Sequence, residues 1–161
     1  MSSILTVGTI QPLYACWKKI GTKYMGFTAD EICQLFKNCQ TIAVVGLSDN
    51  PARPSYQVAL YLQQQGYRII PVNPRLADVL GEKSYPSLRE VPGKIDIVDC
   101  FRRSEEMMPI ARDAVAVGAG CLWLQIGVIN EEATKIATEA GLKVVLNKCT
   151  KIEHARTIRS P

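Results

Sequence analysis

Residues 46–55 form a turn-rich segment whose residue types suit the binding of a phosphate group. The segment opens with Gly46 and then holds Ser48, Arg53 and Ser55. A glycine lets an anion approach the backbone, helix N-termini carry partial positive charge, and hydroxyl and guanidinium groups are strong phosphate ligands. Neither the dinucleotide-binding nor the P-loop glycine pattern is present. The segment therefore predicts a phosphate site of no standard type, with an ordinary strand-to-helix connection as the alternative.

The residues after the second predicted strand indicate which nucleotide such a site would take. An NAD site places a carboxylate about 20 residues beyond its glycine loop, where the acid holds the ribose hydroxyls. Here the sequence reads Asn73-Pro74-Arg75, so a cation stands where the carboxylate would be. A cation favours a ribose that carries a phosphate, as in coenzyme A or NADP. A solvated surface arginine is the alternative interpretation.

Two further strand ends carry residues that suit a ligand at the same edge of a sheet. Phe101 and Arg102 follow the third predicted strand, where the ring would flank an adenine and the guanidinium would contact an anion. Gln125 and Gly127 follow the fourth, and they offer a polar side chain and a close approach to the backbone. Arg103 is expected to solvate the start of a helix.

The last predicted strand is followed by a thiol and by the single histidine of the chain. Lys148 and Cys149 precede a helix, where a cation and a helix terminus would stabilise a thiolate. No histidine or acid forms a dyad with Cys149, so we expect a packed structural thiol, with redox modification as the alternative. His154, beside Glu153, is expected at the surface or at a helix end and not as a catalytic base.

Apolar runs bounded by glycine, proline and asparagine predict five strands with helices between them. The predicted strands are residues 41–45, 67–72, 95–101, 121–126 and 143–146. The first predicted helix is opened by a capping box of Thr28 and Glu31. The later predicted helices are 56–65 with Ser55 as its N-cap, 104–117, 131–140 with Asn130 as its N-cap, and 151–156. This alternation predicts an α/β fold, a Rossmann-like three-layer sandwich with a mainly parallel five-stranded sheet. Its ligand would bind at the carboxyl ends of the strands, where the strand order reverses.

Composition indicates a soluble protein with one domain. The 161 residues are 47% hydrophobic and 21% charged, and the net charge of +4 is dispersed, which argues against a nucleic-acid surface. Apolar runs fall short of the ~18 residues that span a bilayer. Six scattered cysteines with a single histidine argue against a zinc site, and cysteines in apolar strands indicate a reducing, cytoplasmic compartment.

The first 24 residues differ in character from the remainder. They contain Lys18, Lys19 and Lys23 but no acid and no arginine, so an organellar transit peptide is one alternative. We expect residues 1–24 to be a flexible extension, or Met25 to be the true start, and residues 25–161 to form the Rossmann-like domain.

Several short stretches resemble one family when taken together. They are residues 41–55, 70–74, 81–88, 96–102, 122–130 and 147–153, and they resemble the stand-alone CoA-binding domain family. That family is similar to the N-terminal CoA-binding domain of the succinyl-CoA synthetase α subunit. The resemblance implies that Gly46, Ser48, Arg53 and Ser55 lie at the pyrophosphate, that Asn73, Pro74 and Arg75 lie near the adenosine phosphate, and that Phe101, Arg102, Gln125 and Gly127 line the rim.

The resemblance implies a protein that binds coenzyme A or an acyl-CoA and is accessory to acyl-CoA metabolism. The synthetase's phosphorylated histidine belongs to a further domain without a counterpart in this sequence, and no nucleophile with its base is readable, so we expect no catalysis. An NADP-dependent oxidoreductase and a thiol-based redox or regulatory protein that uses Cys149 are the alternatives. We expect a monomer or small homo-oligomer that has a possible protein partner and binds neither nucleic acid nor a membrane.

Overall fold

The computed structural model describes residues 26–158, and the predicted extension at residues 1–24 lies outside the described residues. The helices are α1 (Ala29–Lys37), α2 (Pro54–Gln64), α3 (Met107–Ala116), α4 (Glu131–Glu139) and α5 (Thr150–Ile158). The strands are β1 (Thr41–Val45), β2 (Arg68–Val72), β3 (Asp78–Val79), β4 (Glu82–Lys83), β5 (Ile97–Cys100), β6 (Cys121–Leu124) and β7 (Lys143–Val145). Within residues 26–158, no helix has the length and apolarity needed to cross a membrane.

Five strands form one sheet in the order β2–β1–β5–β6–β7, and every neighbouring pair is parallel. The chain moves from β1 to β2 on one side and then returns past β1 to β5 on the other. The strand order therefore reverses between β1 and β5, where Val45 pairs with Val72 on one side and with Cys100 on the other. Ligands of such sheets bind outside the carboxyl ends at this reversal. The predicted Rossmann-like α/β fold with five parallel strands is confirmed.

Each face of the sheet packs against its own helices. Helices α1, α2 and α5 cover one face, whose core includes Phe36 and Trp123. Helices α3 and α4 cover the other face, whose core includes Met107 and Leu122. Burial on both faces explains why the central strands are almost continuously apolar in sequence.

Two of the predicted helix caps are present and a third is wrong. The Thr28 hydroxyl accepts from the backbone N–H of Glu31, whose carboxylate accepts from the backbone N–H of Thr28, and Asn130 caps α4. Ser55 does not cap α2, because that helix begins at Pro54. A proline has no N–H and a fixed φ that suits the first helical turn, so the helix starts earlier than predicted.

Other differences concern element ends and one missed hairpin. Strand β5 is shorter than the predicted 95–101, and the predicted helix 104–117 begins as a short 3-10 turn before α3. Strands β3 and β4 form a two-stranded antiparallel hairpin within the predicted connection. Its turn residues Leu80 and Gly81 both have positive φ (56° and 76°), the geometry of a tight hairpin turn that leucine rarely adopts.

His154 lies in the core, so its predicted surface or helix-end position is wrong. It is 2% exposed on α5, and its Nδ1 lies 2.9 Å from the hydroxyl oxygen of Tyr61. The rings of Phe36 and Tyr67 meet it edge-on, with centroids 5.0 Å and 5.4 Å away. The face of α5 that carries His154 is turned inward against α1 and α2, which the short polar sequence of this helix did not indicate.

Candidate functional site

A cleft of about 810 Å³ opens at the carboxyl ends of β1, β5 and β6. This volume falls within the range of small-molecule and cofactor sites, about 300–1,000 Å³. Its lining comprises Gly46, Ser48, Arg53, Pro54, Ser55, Val58, Arg75, Phe101, Arg102, Arg103, Gln125, Ile126, Val128, Cys149 and Ile152. Eight of the eleven predicted site residues are in this lining; Asn73, Pro74 and Gly127 are not.

Gly46 is required where β1 meets β5. Its φ is +84°, and a Cβ built on it would lie 2.6 Å from the carbonyl oxygen of Phe101 and 3.1 Å from Nε of Arg102. No larger residue fits without moving the backbone, because real Cβ atoms do not approach a carbonyl oxygen so closely. The glycine thus keeps the two strand ends close together at the reversal point.

The loop after Gly46 satisfies several of its own N–H groups, contrary to the expectation that they face an anion. The Ser48 N–H donates to Oγ of Ser55 at 3.0 Å, and the Asn50 N–H donates to Oγ of Ser48 at 3.1 Å. The Ala52 N–H donates to Oδ1 of Asn50 at 3.0 Å. These hydrogen bonds hold the loop in shape but take those donors away from a ligand.

Donors remain at the start of α2. The backbone N–H groups of Ser55 and Tyr56 find no acceptor within residues 26–158. The hydroxyl oxygens of Ser48 and Ser55 accept hydrogen bonds, and neither hydroxyl hydrogen is donated within the same described range. The donors available to an anion are therefore the first turn of the helix and two serine hydroxyls, whereas several N–H groups of the loop are already bonded within it.

Arginine side chains give the cleft its charge. Arg53, Arg75 and Arg102 line it, and none of them forms a salt bridge with another described residue. Arg103 is different, since its Nε lies 3.3 Å from Oε2 of Glu106. Among the described residues that line the cleft, none carries a carboxylate. We call Arg53, Arg75 and Arg102 the charged end of the cleft.

The residues after β2 divide between two roles. The Asn73 side chain donates through Nδ2 to the carbonyl oxygen of Leu47 at 3.0 Å, and its Oδ1 accepts from the Arg75 N–H at 3.0 Å. Asn73 therefore ties the β1 loop to the β2 loop and does not line the cleft. Pro74 lines a neighbouring groove of about 490 Å³, and Arg102 borders both spaces.

That neighbouring space, the proline groove, lies toward α3 and has apolar walls, with the acids Glu105, Glu106 and Asp113 also in its lining. Its apolar lining comprises Val45, Val72, Pro74, Pro86, Leu88, Pro109 and Ile110. Phe101 lines the main cleft and not this groove, and it packs against the core beneath α1, α2 and α5. Because Arg102 lines both spaces, the main cleft and the proline groove adjoin at this side chain.

A buried polar network that the sequence did not reveal lies beneath the cleft. Asp99 of β5 is fully buried; its Oδ1 accepts from Nε2 of Gln125 at 2.6 Å and its Oδ2 accepts from the Thr150 hydroxyl at 2.8 Å. Nε2 of Gln125 also donates to the Thr150 hydroxyl oxygen at 2.8 Å. Burial raises the pKa of Asp99 from 3.8 to about 7, against the lowering effect of both hydrogen bonds.

This network changes the role expected of Gln125. Its side chain is 6% exposed and its amide nitrogen is directed inward, so it supports the edge of the cleft more than it presents a donor. The sequence signal was an acid inside an otherwise apolar strand, residues 97–100. A charge in the middle of a buried strand requires hydrogen-bond partners, and these came from residues 26 and 51 positions away.

Gly127 lies beside the cleft without lining it. Its N–H donates to Oδ1 of Asn147 at 2.8 Å, which joins the loops after β6 and β7. Its φ is +84°, and nothing lies within 4 Å of a Cβ built on it. The close approach of the backbone to a ligand that the sequence suggested here is therefore not a property of the cleft lining.

Cys149 lines the cleft, is partly buried, and packs against the core. The neighbouring Lys148 Nζ lies 3.9 Å from Oε1 of Glu153, so this cation is held by a carboxylate. Within residues 26–158, no group of three or more histidine, cysteine or acidic side chains could hold a metal ion.

Apolar side chains form the opposite end of the cleft. Ile126 and Val128 follow β6, and Ile152 lies in the first turn of α5. We call these three residues the apolar end. The cations of the cleft follow β1, β2 and β5, whereas the apolar end is formed by the residues after β6 and by the first turn of α5, which is bonded to β5 through Thr150.

The fold and this cleft define a Rossmann-like α/β domain with an arginine-lined site at its strand reversal. The chain belongs to the CoA binding domain family, whose sequence profile matches residues 40–155. It is 44% identical over 127 residues to the uncharacterized protein YneT of Bacillus subtilis, covering 79% of this chain and 94% of that protein. Its fold matches a solved hypothetical protein from Pyrococcus horikoshii with a TM-score of 0.81 and 40% identity, covering 83% of this chain and 94% of the other.

A further relative is a subunit of a named enzyme. The α subunit of acetate–CoA ligase (ADP-forming) II from Pyrococcus furiosus is 41% identical over 63 residues. The similarity covers 38% of this chain but only 14% of the ligase subunit. This chain therefore corresponds to a small part of that enzyme.

Proposed function

We propose that this chain binds coenzyme A, or an acyl thioester of it, across the carboxyl edge of the sheet. It would act as a binding module or accessory protein of acyl-CoA metabolism. The observation that carries the proposal is the charged end: within residues 26–158, Arg53, Arg75 and Arg102 form no salt bridge, and the part of the cleft lining that lies in this range contains no acid. Membership in the CoA binding domain family supports the same ligand.

The chemistry of coenzyme A matches the order of these groups. Its diphosphate would lie at the N-terminus of α2, near the free N–H groups of Ser55 and Tyr56. Its 3′-phosphate would lie at Arg75, and Arg102 would contact the nucleotide from between the two spaces. The adenine would enter the proline groove, whose apolar walls suit a flat ring.

The proposal does not include catalysis. Within residues 26–158, His154 pairs with Tyr61 in the core, and Lys148 is held by Glu153, so neither stands as a base beside Cys149. Acyl transfer requires a nucleophile, a base and a group that orients the base. The relative from Pyrococcus furiosus is an acetate–CoA ligase subunit, which supports a link to acyl-CoA chemistry.

A cytoplasmic location is part of the proposal. Cys39, Cys100 and Cys121 are buried as free thiols in the core, which is usual for proteins kept in a reducing compartment. Coenzyme A thioesters are also intracellular metabolites, so ligand and location agree.

Isothermal titration calorimetry of wild type, Arg75→Gln and Arg102→Gln tests the proposal, with CoA, dephospho-CoA, NADP and NAD as ligands. We expect each substitution to weaken CoA binding about tenfold or more, since a charge-assisted hydrogen bond contributes about 1.5–3 kcal/mol. Arg112→Gln is the control, because Arg112 is an exposed arginine on α3 that lines neither the cleft nor the proline groove.

Dephospho-CoA assigns the arginines individually. If Arg75 holds the 3′-phosphate, Arg75→Gln weakens CoA binding but leaves dephospho-CoA binding unchanged, whereas Arg102→Gln weakens both. Tight binding of NADP without CoA would replace the proposal with the oxidoreductase alternative. Equal CoA affinity in wild type and both variants would show that the charged end is not the site.

A further inference from the structure

Two exposed isoleucines lie at the same end of the cleft. Ile126 is 64% exposed and Ile152 is 55% exposed, and within residues 26–158 they are the large hydrophobic side chains left most open to solvent. Scattered apolar side chains on a surface need no explanation. These two are not scattered, because both line one cleft together with Val128. An exposed apolar patch inside a cleft is a sign of a bound apolar group.

The position of this apolar end relative to the charged end is set by the sheet. The charged end follows β1, β2 and β5, whereas Ile126 follows β6 and Ile152 follows β7. Neighbouring strands are about 4.8 Å apart, so the strand before Ile126 is one spacing from the strand before Arg102 and three spacings, about 14 Å, from the strand before Arg75. A ligand that fills the whole cleft must carry phosphates at one end and an apolar group at the other, joined by a chain.

The charges near the apolar end favour an uncharged acyl group over an acidic one. Its three side chains are uncharged, and the nearby Lys148 is already engaged by Glu153 at 3.9 Å. Lys151 stands over the ring of Tyr61, 5.6 Å from its centroid. A dicarboxylic acyl group such as succinyl would therefore find no free cation here among the described lysines of this loop and helix start.

The apolar end is also held rigidly. Thr150, two residues before Ile152, is fully buried and bonded to Asp99 and Gln125. The carbonyl oxygen of Lys148 accepts from the Trp123 indole N–H at 2.8 Å. These bonds fix the first turn of α5 to β5 and β6, so Ile152 is presented to the cleft without an ordering cost when a ligand binds.

We propose that Ile126, Val128 and Ile152 form a subsite for the acyl group of an uncharged, apolar acyl-CoA, such as a short aliphatic thioester. The inference rests on the proposed function, because it needs the nucleotide at the charged end. It adds the substrate class: an aliphatic acyl-CoA in preference to free CoA or a dicarboxylic acyl-CoA.

Calorimetry with CoA, butyryl-CoA and succinyl-CoA tests the subsite on wild type, Ile152→Ser, Ile152→Leu and Ile152→Lys. Wild type is expected to bind butyryl-CoA about tenfold more tightly than CoA, since each buried methylene is worth about a fourfold change in affinity. Ile152→Ser should lose most of this preference while its CoA affinity stays within about twofold. Ile152→Leu should keep the preference, and Ile152→Lys should shift it toward succinyl-CoA.

The outcomes separate the subsite from the proposed function. Equal wild-type affinity for CoA and butyryl-CoA would overturn the subsite and leave CoA binding standing. An equal loss of CoA and butyryl-CoA affinity in Ile152→Ser would also overturn it, because that residue would then support the whole ligand. A change of oligomeric state in Ile152→Ser by gel filtration would assign the patch to a protein contact instead. Failure of wild type to bind any CoA species would reject the proposed function itself.

Discussion

The charged end and the apolar end of the cleft lie on one edge of the sheet, but different kinds of contact hold them in place. At the charged end the backbone sets the geometry: Gly46 lies against the Phe101 carbonyl, and Asn73 bonds the carbonyl oxygen of Leu47. At the apolar end side chains set it, through the network of Asp99, Gln125 and Thr150 under the first turn of α5.

This difference determines what each end tolerates. A backbone contact cannot relax around an added atom, so a change at the charged end should act by steric strain. The buried side-chain network beneath the apolar end contains a titratable group, so a change in that network should alter the pH dependence of stability. The arginines themselves are exposed or partly exposed and can be replaced without disturbing either support.

Gly46→Ala should have the largest effect. The added Cβ would lie 2.6 Å from the Phe101 carbonyl oxygen at a φ of +84°. Left-handed strain costs about 1–2 kcal/mol and overpacking a further 1–3, so we expect the free energy of unfolding to fall by about 2–5 kcal/mol. Urea denaturation measures this loss, and calorimetry should show that CoA binding is lost with it.

Gly127→Ala is the matched control. Gly127 has the same φ of +84°, but a Cβ on it would meet nothing within 4 Å. We expect a loss of only about 1–2 kcal/mol from backbone strain, with CoA binding retained. If Gly46→Ala and Gly127→Ala lose equal stability, the close approach of β1 and β5 at Gly46 adds nothing to the cost of the substitution. The backbone contact would then not determine the geometry of the charged end.

Asp99→Asn should have the next largest effect, visible as a changed pH dependence. Burial raises the pKa of Asp99 from its ordinary value of 3.8 to about 7 in the folded chain. For Asp99, a raised folded pKa means that its contribution to the free energy of unfolding is fully present below pH ~4 and is lost as pH rises toward 7, with each pKa unit worth about 1.4 kcal/mol. Thermal unfolding from pH 4 to 8 should show wild type losing stability relative to Asp99→Asn over this range.

Asp96, the residue before β5, has a lowered pKa, so Asp96→Asn should have the opposite pH dependence to Asp99→Asn. Although partial burial raises the pKa of Asp96, the N–H groups of Gln40 and Thr41 with the Lys94 and Thr41 side chains hold it below its usual value. Its stabilisation is present above pH ~4 and is lost as pH falls through the folded pKa. Asp96→Asn should thus destabilise at pH 7. If the stabilities of Asp99→Asn and Asp96→Asn relative to wild type change with pH in the same direction, the pKa of Asp99 is not raised in the folded chain.

The fold was predictable because its signals are local. Glycine, proline and asparagine mark the ends of buried apolar strands, and the Thr28 and Asn130 caps act within three residues. The errors fall where a contact with distant chain decides the outcome. His154 looked exposed until α5 packed against α1, and the Leu80 turn has no local signal because leucine seldom adopts a positive φ.

The site was predictable in residue type more than in role. Eight of the eleven predicted residues line the cleft because strand ends of a parallel sheet share one edge. Roles such as those of Asn73 and Gln125 depend on hydrogen bonds across 26 sequence positions each, which spacing does not encode. Asp99 was missed for the same reason, since its partners come from other strand ends.

The smallest expected effect is a change in thiol labelling. Cys149 lines the cleft, whereas Cys33 is equally half-buried but lies on α1 away from it. Burial raises the pKa of Cys39 to about 12 and the pKa of Cys100 well above its usual value, so both should resist alkylation in the folded chain. Peptide mass spectrometry after iodoacetamide treatment should show CoA slowing Cys149 about fivefold and leaving Cys33 unchanged.

Adenosine 3′,5′-bisphosphate makes this measurement a test of both ends, because it carries the nucleotide of CoA without the chain that ends in the thiol. It should occupy the charged end and leave Cys149 as reactive as in the free protein, while CoA and butyryl-CoA protect it. If adenosine 3′,5′-bisphosphate protects Cys149 from alkylation as well as CoA and butyryl-CoA do, the nucleotide lies over Cys149. The nucleotide would then not be at the charged end as proposed. Unusually fast alkylation of Cys149 compared with Cys33 in the ligand-free protein would instead favour the thiol-based redox alternative, and equal rates would remove it.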